Sequence, residues 1–253
     1  MIGEMPERLL LTLLGPIVGS CLGLLSLRLP AGLPVGLARS ACVGCARPLS
    51  PLDLVPILSW AALRGRCRTC GTPIPLRYPL IEVGCALIGL WAALVNDGAA
   101  AWATAGFGWA LLLIALIDAE HYWLPARLTS PLLVAGLVVA ASLGPDAFIG
   151  RLIGATAGWA FLAGLAWGYR RLRGRDGLGG GDPLMLAAIG GWVGWQGLPS
   201  VMLIAAVCGL VVALCLRRLQ PDSRLPLGSL MAVGGWLVWL YGPLGFQIWR
   251  TAT

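Results

Sequence analysis

Two acidic residues stand where a carboxylate is costly. Asp118 closes an apolar run in Leu116-Ile117-Asp118-Ala119-Glu120-His121-Tyr122-Trp123-Leu124-Pro125. Asp182 follows a glycine run and opens another apolar stretch, in Gly177-Leu178-Gly179-Gly180-Gly181-Asp182. Acids at membrane depth are expensive and mark functional sites by default. Two carboxyls sharing one site cannot both ionise easily, so one keeps its proton. The ionised member can then take a proton from water while the acid protonates a scissile carbonyl, which is the logic of aspartic peptidases. A bland role suits Asp182 equally well: N-cap of a helix with Pro183 at its first position. The local sequence leaves both roles open.

The other acids near apolar runs are Glu82, Asp97, Glu120 and Asp146. Asp97 and Asp146 stand beside Gly or Pro and read as turn residues. Glu82 lies one turn inside a span, after Arg77-Tyr78-Pro79-Leu80-Ile81. It fits a cap that meets the helix dipole, with a functional role equally open. His121 is the sole histidine and reads as an interfacial side chain rather than a base. No His-Glu-x-x-His zinc motif occurs.

A second chemistry comes from Cys42-Val-Gly-Cys45 and Cys67-Arg-Thr-Cys70. Two C-x-x-C pairs about twenty residues apart are the spacing of a tetrahedral zinc site. Four thiolates close the coordination sphere, so such a site is structural. Arg64, Arg66 and Arg68 nearby favour thiolates. The alternatives are two disulfides or four unrelated thiols, and a reducing compartment argues against the disulfides. Cys21, Cys85, Cys208 and Cys215 lie in apolar spans and read as small packing residues.

These groups need a membrane scaffold. The chain of 253 residues is 58% hydrophobic and 11% charged, against roughly 25% charged in soluble domains. Eight spans are expected, at about 9–27, 79–95, 100–117, 128–145, 148–168, 183–198, 199–216 and 228–247, each near the length of about 20 residues that crosses a bilayer. The first is too long for a signal peptide, lacks a basic start and runs into Arg28-Leu29-Pro30 without a cleavage site.

The net charge of +7 comes from arginine alone, with no lysine. Arg28, Arg39, Arg47, Arg64, Arg66, Arg68 and Arg77 fall between spans one and two, and Arg127 between three and four. Arg170, Arg171, Arg173 and Arg175 fall between five and six, and Arg217, Arg218 and Arg224 between seven and eight. Only Arg8, Arg151 and Arg250 fall on the other side. Positive loops stay in the cytoplasm, so both termini face out and the cysteine loop faces in. Charge spread over loop ends in this way is an orientation signal, which excludes nucleic acid as partner and leaves membrane lipid.

The expected fold is therefore all-α: a polytopic membrane protein of about eight transmembrane helices with a small zinc-stapled cytoplasmic loop. Its parts are a first span at 1–27, a four-cysteine loop domain at 28–78 and a seven-span membrane domain at 79–253 carrying Asp118 and Asp182. The loop of about 50 residues buries too little apolar surface to fold unaided, which a metal would correct. No internal repeat is visible. Besides a peptidase, the residues fit a zinc-containing transporter or channel using the two Asp as ion sites, or a non-catalytic assembly factor. No oligomeric state follows from the sequence.

Six stretches occur in a familiar order: Gly19-Ser20-Cys21-Leu22 to Arg28-Leu29-Pro30; Pro56-Ile57-Leu58-Ser59-Trp60 framed by the C-x-x-C pairs; Arg77 to Glu82; Ile117 to Pro125; Gly179-Gly180-Gly181-Asp182; and Pro226-Leu227-Gly228. From about residue 15 to 245 the chain resembles the type IV prepilin peptidases, the leader peptidase/N-methyltransferases of pilus and type II secretion systems. The resemblance implies an aspartyl endopeptidase of the bacterial inner membrane with Asp118 and Asp182 as catalytic residues at the cytoplasmic side. It implies a prepilin or pseudopilin substrate cut after Gly, followed by methylation of the new amine with S-adenosylmethionine. Leu184 stands where the family usually has Lys, Ala126 and Glu120 where it has Asp, and Gly23 where it has Asn. No catalytic Asp is lost, and no glycine-rich nucleotide fingerprint locates the methyl donor.

Overall fold

The computed structural model describes residues 4–35, 40–215 and 225–244. Among these the regular structure is helical, with two isolated antiparallel bridges and no strand. The helices are α1 (Glu4–Arg28), α2 (Leu58–Ala62), α3 (Arg77–Val95), α4 (Gly98–His121), α5 (Ala126–Leu143), α6 (Pro145–Arg173), α7 (Asp182–Val193), α8 (Leu198–Cys215) and α9 (Leu227–Tyr241), with one 3-10 turn at Pro51–Leu54. The all-α membrane architecture expected from composition is the one observed.

Among the described residues six helices are long and apolar enough to cross a membrane: α1, α3, α4, α5, α6 and α8. Their outer faces are apolar too. Leu9, Leu13 and Ile17 on α1, and Leu203, Val207, Leu210 and Leu214 on α8, expose more than half their surface. A water-soluble protein seldom carries such patches, whereas lipid covers them. The helices at the expected sixth and eighth spans are shorter. α7 has 12 residues and α9 has 15, about 18 and 22 Å of helix against a hydrocarbon core of about 30 Å. Gly194, at φ 74°, ends α7 and turns the chain toward α8, so 183–198 is a helix and a turn, not one span. The far end of the expected eighth span lies outside the described residues, as do Arg39, Arg217, Arg218, Arg224 and Arg250 of the orientation argument.

The chain divides into two compact units, Met1–Trp109 and Ala110–Thr253, with α4 running from one into the other. In the first unit α1 packs against α3. Gly15 and Gly19 allow this: a Cβ at Gly15 would lie 2.5 Å from the Cys85 carbonyl oxygen, and one at Gly19 2.6 Å from the Glu82 Cα. Small residues four apart on one helix face let backbones meet, which is how helices associate where lipid removes the hydrophobic drive.

In the second unit α7 packs against α5, α6 and α9. Ten of its residues, from Asp182 through Trp192, are buried. A helix that is apolar all round is a core helix, so its shortness costs little: protein rather than lipid surrounds it. The Trp192 indole N–H donates to the Leu132 carbonyl of α5 at 2.8 Å, and the Trp192 ring meets Trp239 of α9 edge-on at 5.2 Å.

Candidate functional site

Asp118 stands in the last turn of α4 and Asp182 at the first position of α7, with about 5% and 6% of their surface exposed. The two carboxyls are close enough for the charge of Asp118 to act on Asp182. Residues far apart in sequence shape the space around them. Leu124, in the connection after α4, is the common neighbour. A Cβ at Gly181 would lie 2.5 Å from the Leu124 Cβ and 2.6 Å from its carbonyl oxygen. A Cβ at Gly228, in the first turn of α9, would lie 2.6 Å from the Leu124 Cδ2 and 3.0 Å from Asp118 Oδ2. Glycine at both positions is thus what admits Leu124 beside the carboxylates.

The hydrogen bonds decide the bland reading of Asp182. Its Oδ2 accepts the N–H of Gly179 at 2.8 Å, three residues upstream, and no side-chain cap is made to α7. The N-cap position is held by Gly181. Asp182 therefore folds the glycine run back on itself instead of capping the helix. Asp118 Oδ2 accepts the Ser229 N–H at 2.7 Å, with the Ser229 hydroxyl at 3.2 Å. Sequence reading passed over Ser229 and Leu124. Both are in or beside recognised stretches, yet neither residue type announces chemistry. Glu120 and His121 are exposed, with His121 Nε2 3.9 Å from Glu120 Oε2, so His121 sits at the surface as expected.

In the first unit the four sulfurs of Cys42, Cys45, Cys67 and Cys70 lie within 4.8 Å of one another, none in a disulfide. Cys42 Sγ and Cys70 Sγ are 3.6 Å apart, near the edge of about 3.8 Å that a tetrahedron with zinc–sulfur bonds of about 2.3 Å requires. The donor set fits a structural zinc. N–H groups of Cys45 and Gly44 hold the Cys42 thiol below its usual range. The Thr72 hydroxyl and amide bring Cys70 down to about 6. The Arg47 N–H favours the Cys45 thiolate, but Cys70, burial and Cys42 outweigh it and push Cys45 up to about 11. All four sulfurs this close would become thiolates together only around a cation.

The expectation of no internal repeat is wrong at this scale. Cys42 N–H donates to Arg47 O, Ala46 N–H to Cys42 O and Leu49 N–H to Ser40 O. Twenty-five residues on, Cys67 N–H donates to Thr72 O, Gly71 N–H to Cys67 O and Ile74 N–H to Gly65 O. The bridges Ala41–Pro48 and Arg66–Pro73 repeat likewise. Ala46 and Gly71, at φ 55° and 71°, each turn the chain after the second cysteine. The shared pattern is C-x-x-C-x-x-P, too short and too varied elsewhere to register as similarity.

Asp53, also missed, joins the two copies. Its Oδ2 accepts from Arg47 Nη2 at 2.7 Å, and its Oδ1 accepts from Arg68 Nε at 3.1 Å. Donors from the Ser50 side chain and backbone, then Arg47, hold its carboxyl down at about 2.

Glu82 is not a cap of its own helix. α3 starts at Arg77, so Glu82 is past the first turn, where amides are already paired. Its Oε2 instead accepts the N–H of Ile57 at 2.6 Å. Ile57 has φ 61° and ψ −53°, in a tight turn closed by Leu58 N–H to Pro56 O at 2.5 Å. A β-branched residue seldom adopts that backbone, and the carboxylate helps hold it there.

Residues 13–95, with the four cysteines and Glu82, match the model of the bacterial peptidase A24 N-terminal domain. Residues 105–214, with Asp118 and Asp182, match that of the type IV leader peptidase family. Over 218 residues, covering 85% of this chain and 71% of the relative, the chain is 43% identical to a prepilin leader peptidase/N-methyltransferase of Burkholderia pseudomallei. It is 35% identical over 264 residues to one of Pseudomonas putida, covering 92% of this chain and 90% of the relative. It is 38% identical over 267 residues to one of Dickeya chrysanthemi, covering 95% and 92%. No solved structure matches the chain.

Proposed function

Since the chain belongs to the type IV leader peptidase family, we propose that it is a membrane-embedded aspartyl endopeptidase that removes the leader of a prepilin or pseudopilin after Gly and then N-methylates the new terminus. The observation that carries this reading is the pair Asp118 and Asp182, buried, within electrostatic reach of each other, and set on two different helices of the family's peptidase segment. One carboxylate takes a proton from the attacking water and the other carboxylic acid protonates the scissile carbonyl oxygen. Burial keeps bulk water from competing and makes it costly for both groups to be charged together.

The remaining parts have supports of their own. Arginine placement supports a bacterial inner-membrane location with both carboxylates at the cytoplasmic face, where a basic leader would stay while its apolar helix enters the bilayer. Cys42, Cys45, Cys67 and Cys70 would hold a structural zinc that staples the loop. S-adenosylmethionine would supply the methyl group. Among the described residues no strand–loop–helix element cradles a nucleotide, so no residue is assigned to the donor. Neither the fold nor the relatives support a transporter or channel.

The test is purified protein with a synthetic prepilin, read by mass. Loss of the leader is expected, with a further gain of one methyl group when S-adenosylmethionine is present. An uncut prepilin would refute the peptidase reading, and a product cut but never methylated would leave a peptidase alone.

A further inference from the structure

Ser229 lies beyond the matched peptidase segment, yet two of its groups meet Asp118. Its N–H donates to Asp118 Oδ2 at 2.7 Å. Its hydroxyl oxygen lies 3.2 Å from that same oxygen and 2.8 Å from the Ala115 carbonyl oxygen. The Gly228 backbone also comes close, since a Cβ there would lie 3.0 Å from Asp118 Oδ2. Both residues belong to the first turn of α9, where helix N–H groups have no partner of their own and the dipole favours a negative group. The single hydroxyl proton is shared between Ala115 O and Asp118. It therefore ties the start of α9 to the last turns of α4 and keeps the Ser229 N–H aimed at the carboxylate.

Asp182 is served differently. It accepts one N–H, from Gly179, and it faces the charge of Asp118. Of the titratable groups on the neighbouring elements, α9 carries only Tyr241, at its far end, and α7 carries Asp182 alone; Glu120 and His121 of α4, Arg127 of α5 and Arg170, Arg171 and Arg173 of α6 are exposed, and Arg151 of α6 lies over the Trp239 ring. Hydrogen bonds to an ionised acceptor are about twice as strong as neutral ones, so the richer donor set belongs to the charged member.

We infer that Ser229 is a positioning residue that holds Asp118 as the ionised member of the pair and so leaves the working proton on Asp182. The inference rests on the peptidase reading and divides its labour. Asp118 takes a proton from water as the water oxygen bonds to the carbonyl carbon, and Asp182 gives its proton to the carbonyl oxygen. When the C–N bond breaks, the proton on Asp118 passes to the departing nitrogen, and Asp182 recovers its own from the collapsing diol.

The experiment uses the full chain in lipid with a synthetic prepilin. It compares Ser229→Ala, Ser229→Cys and Ser229→Thr, with Asp118→Asn and Asp182→Asn alongside. Removing the hydroxyl should lower kcat about tenfold with KM unchanged, since one hydrogen bond to a charged group is lost, and should move the acid limb of the rate profile to higher pH by about half a unit to one unit. Thr keeps the hydroxyl and should restore both; Cys, a weaker donor, should fall between. A wild-type kcat and acid limb in Ser229→Ala would overturn the inference. If the Ala variant fails to fold, equal kcat and equal acid limbs for Cys and Thr would overturn it. Should either Asn variant cleave at near wild-type rate, the pair itself would fall and the inference with it. Inactive Asn variants beside an unaltered Ser229→Ala would leave the pair standing and remove only the role of Ser229.

Discussion

The cysteine loop gathers its four sulfurs from two copies of one short turn, whereas the carboxylate site draws on Ala115, Asp118, Leu124, Gly179, Gly181, Asp182, Gly228 and Ser229. In the loop the backbone–backbone hydrogen bonds are local, the longest being those from Leu49 to Ser40 and from Ile74 to Gly65, and only side chains reach farther, as between Arg68 and Asp53 and between Glu82 and Ile57. The carboxylates are positioned instead by α9, more than a hundred residues from Asp118. The first arrangement can form as soon as the local chain exists and offers four sulfurs that fit a cation. The second exists only after helices have packed. Damage should follow that difference: local and metal-dependent in the loop, catalytic and packing-dependent at the pair.

The largest effect is expected at the pair. Asp118→Asn or Asp182→Asn should each lower cleavage by about 10²–10⁴-fold, the usual contribution of an acid–base group, with normal protein levels on blots. The double variant should be scarcely worse, because the pair acts as a unit. Near wild-type cleavage by Asp182→Asn would remove the pair from the chemistry, since Asn keeps the shape and loses only the ionisable group.

Next comes the loop. Structural zinc binds zinc-finger peptides with about 10–16 kcal/mol, so Cys42→Ser or Cys67→Ser should bring metal content well below one atom per chain and leave residues 40–76 open to protease. Elemental analysis and limited proteolysis report both. An untouched wild-type protein without bound metal would break the comparison at its root.

A smaller effect sharpens the packing side. Gly181→Ala adds a Cβ 2.5 Å from the Leu124 Cβ and 2.6 Å from a carbonyl oxygen, and overpacking of this kind costs about 1–3 kcal/mol. Activity should fall while metal content stays at the wild-type level. A variant that loses metal but keeps activity would show that the two regions do not differ in the way described.

The smallest effect belongs to Asp53. Asp53→Asn should speed proteolysis of the loop at pH 7 without releasing metal. The carboxyl is held at about 2 in the folded loop, below its usual range of about 3.9. Its contribution is therefore fully present above about pH 4 and fades as pH falls through about 2. The gap in hydrogen exchange between wild type and variant should close over that window. A gap that persists at pH 2 would assign the effect to packing and not to charge.

Much of this was legible in residue order. An apolar composition broken by arginine-rich loops announces a bundle of membrane helices, because lipid admits few other solutions. The four cysteines and two aspartates stand out because their types and spacing are rare in such a chain. The lengths of α7 and α9 were not legible. An apolar stretch reads the same whether lipid or protein surrounds it, and only the packing of α5, α6 and α9 around α7 shows that it is a core helix. Glu82 reads as a cap because local sequence cannot reveal that its partner is Ile57.

By itself, then, the sequence determined the class of the protein, its membrane setting and the acidic and cysteine side chains that form its two candidate sites, since those depend on composition and on short spacings. Which hydrogen bonds serve each carboxylate was decided by tertiary structure alone. Ser229 and Leu124 reach Asp118 and the glycines only because helix packing closes long stretches of chain, and no local pattern encodes a contact between residues 118 and 229.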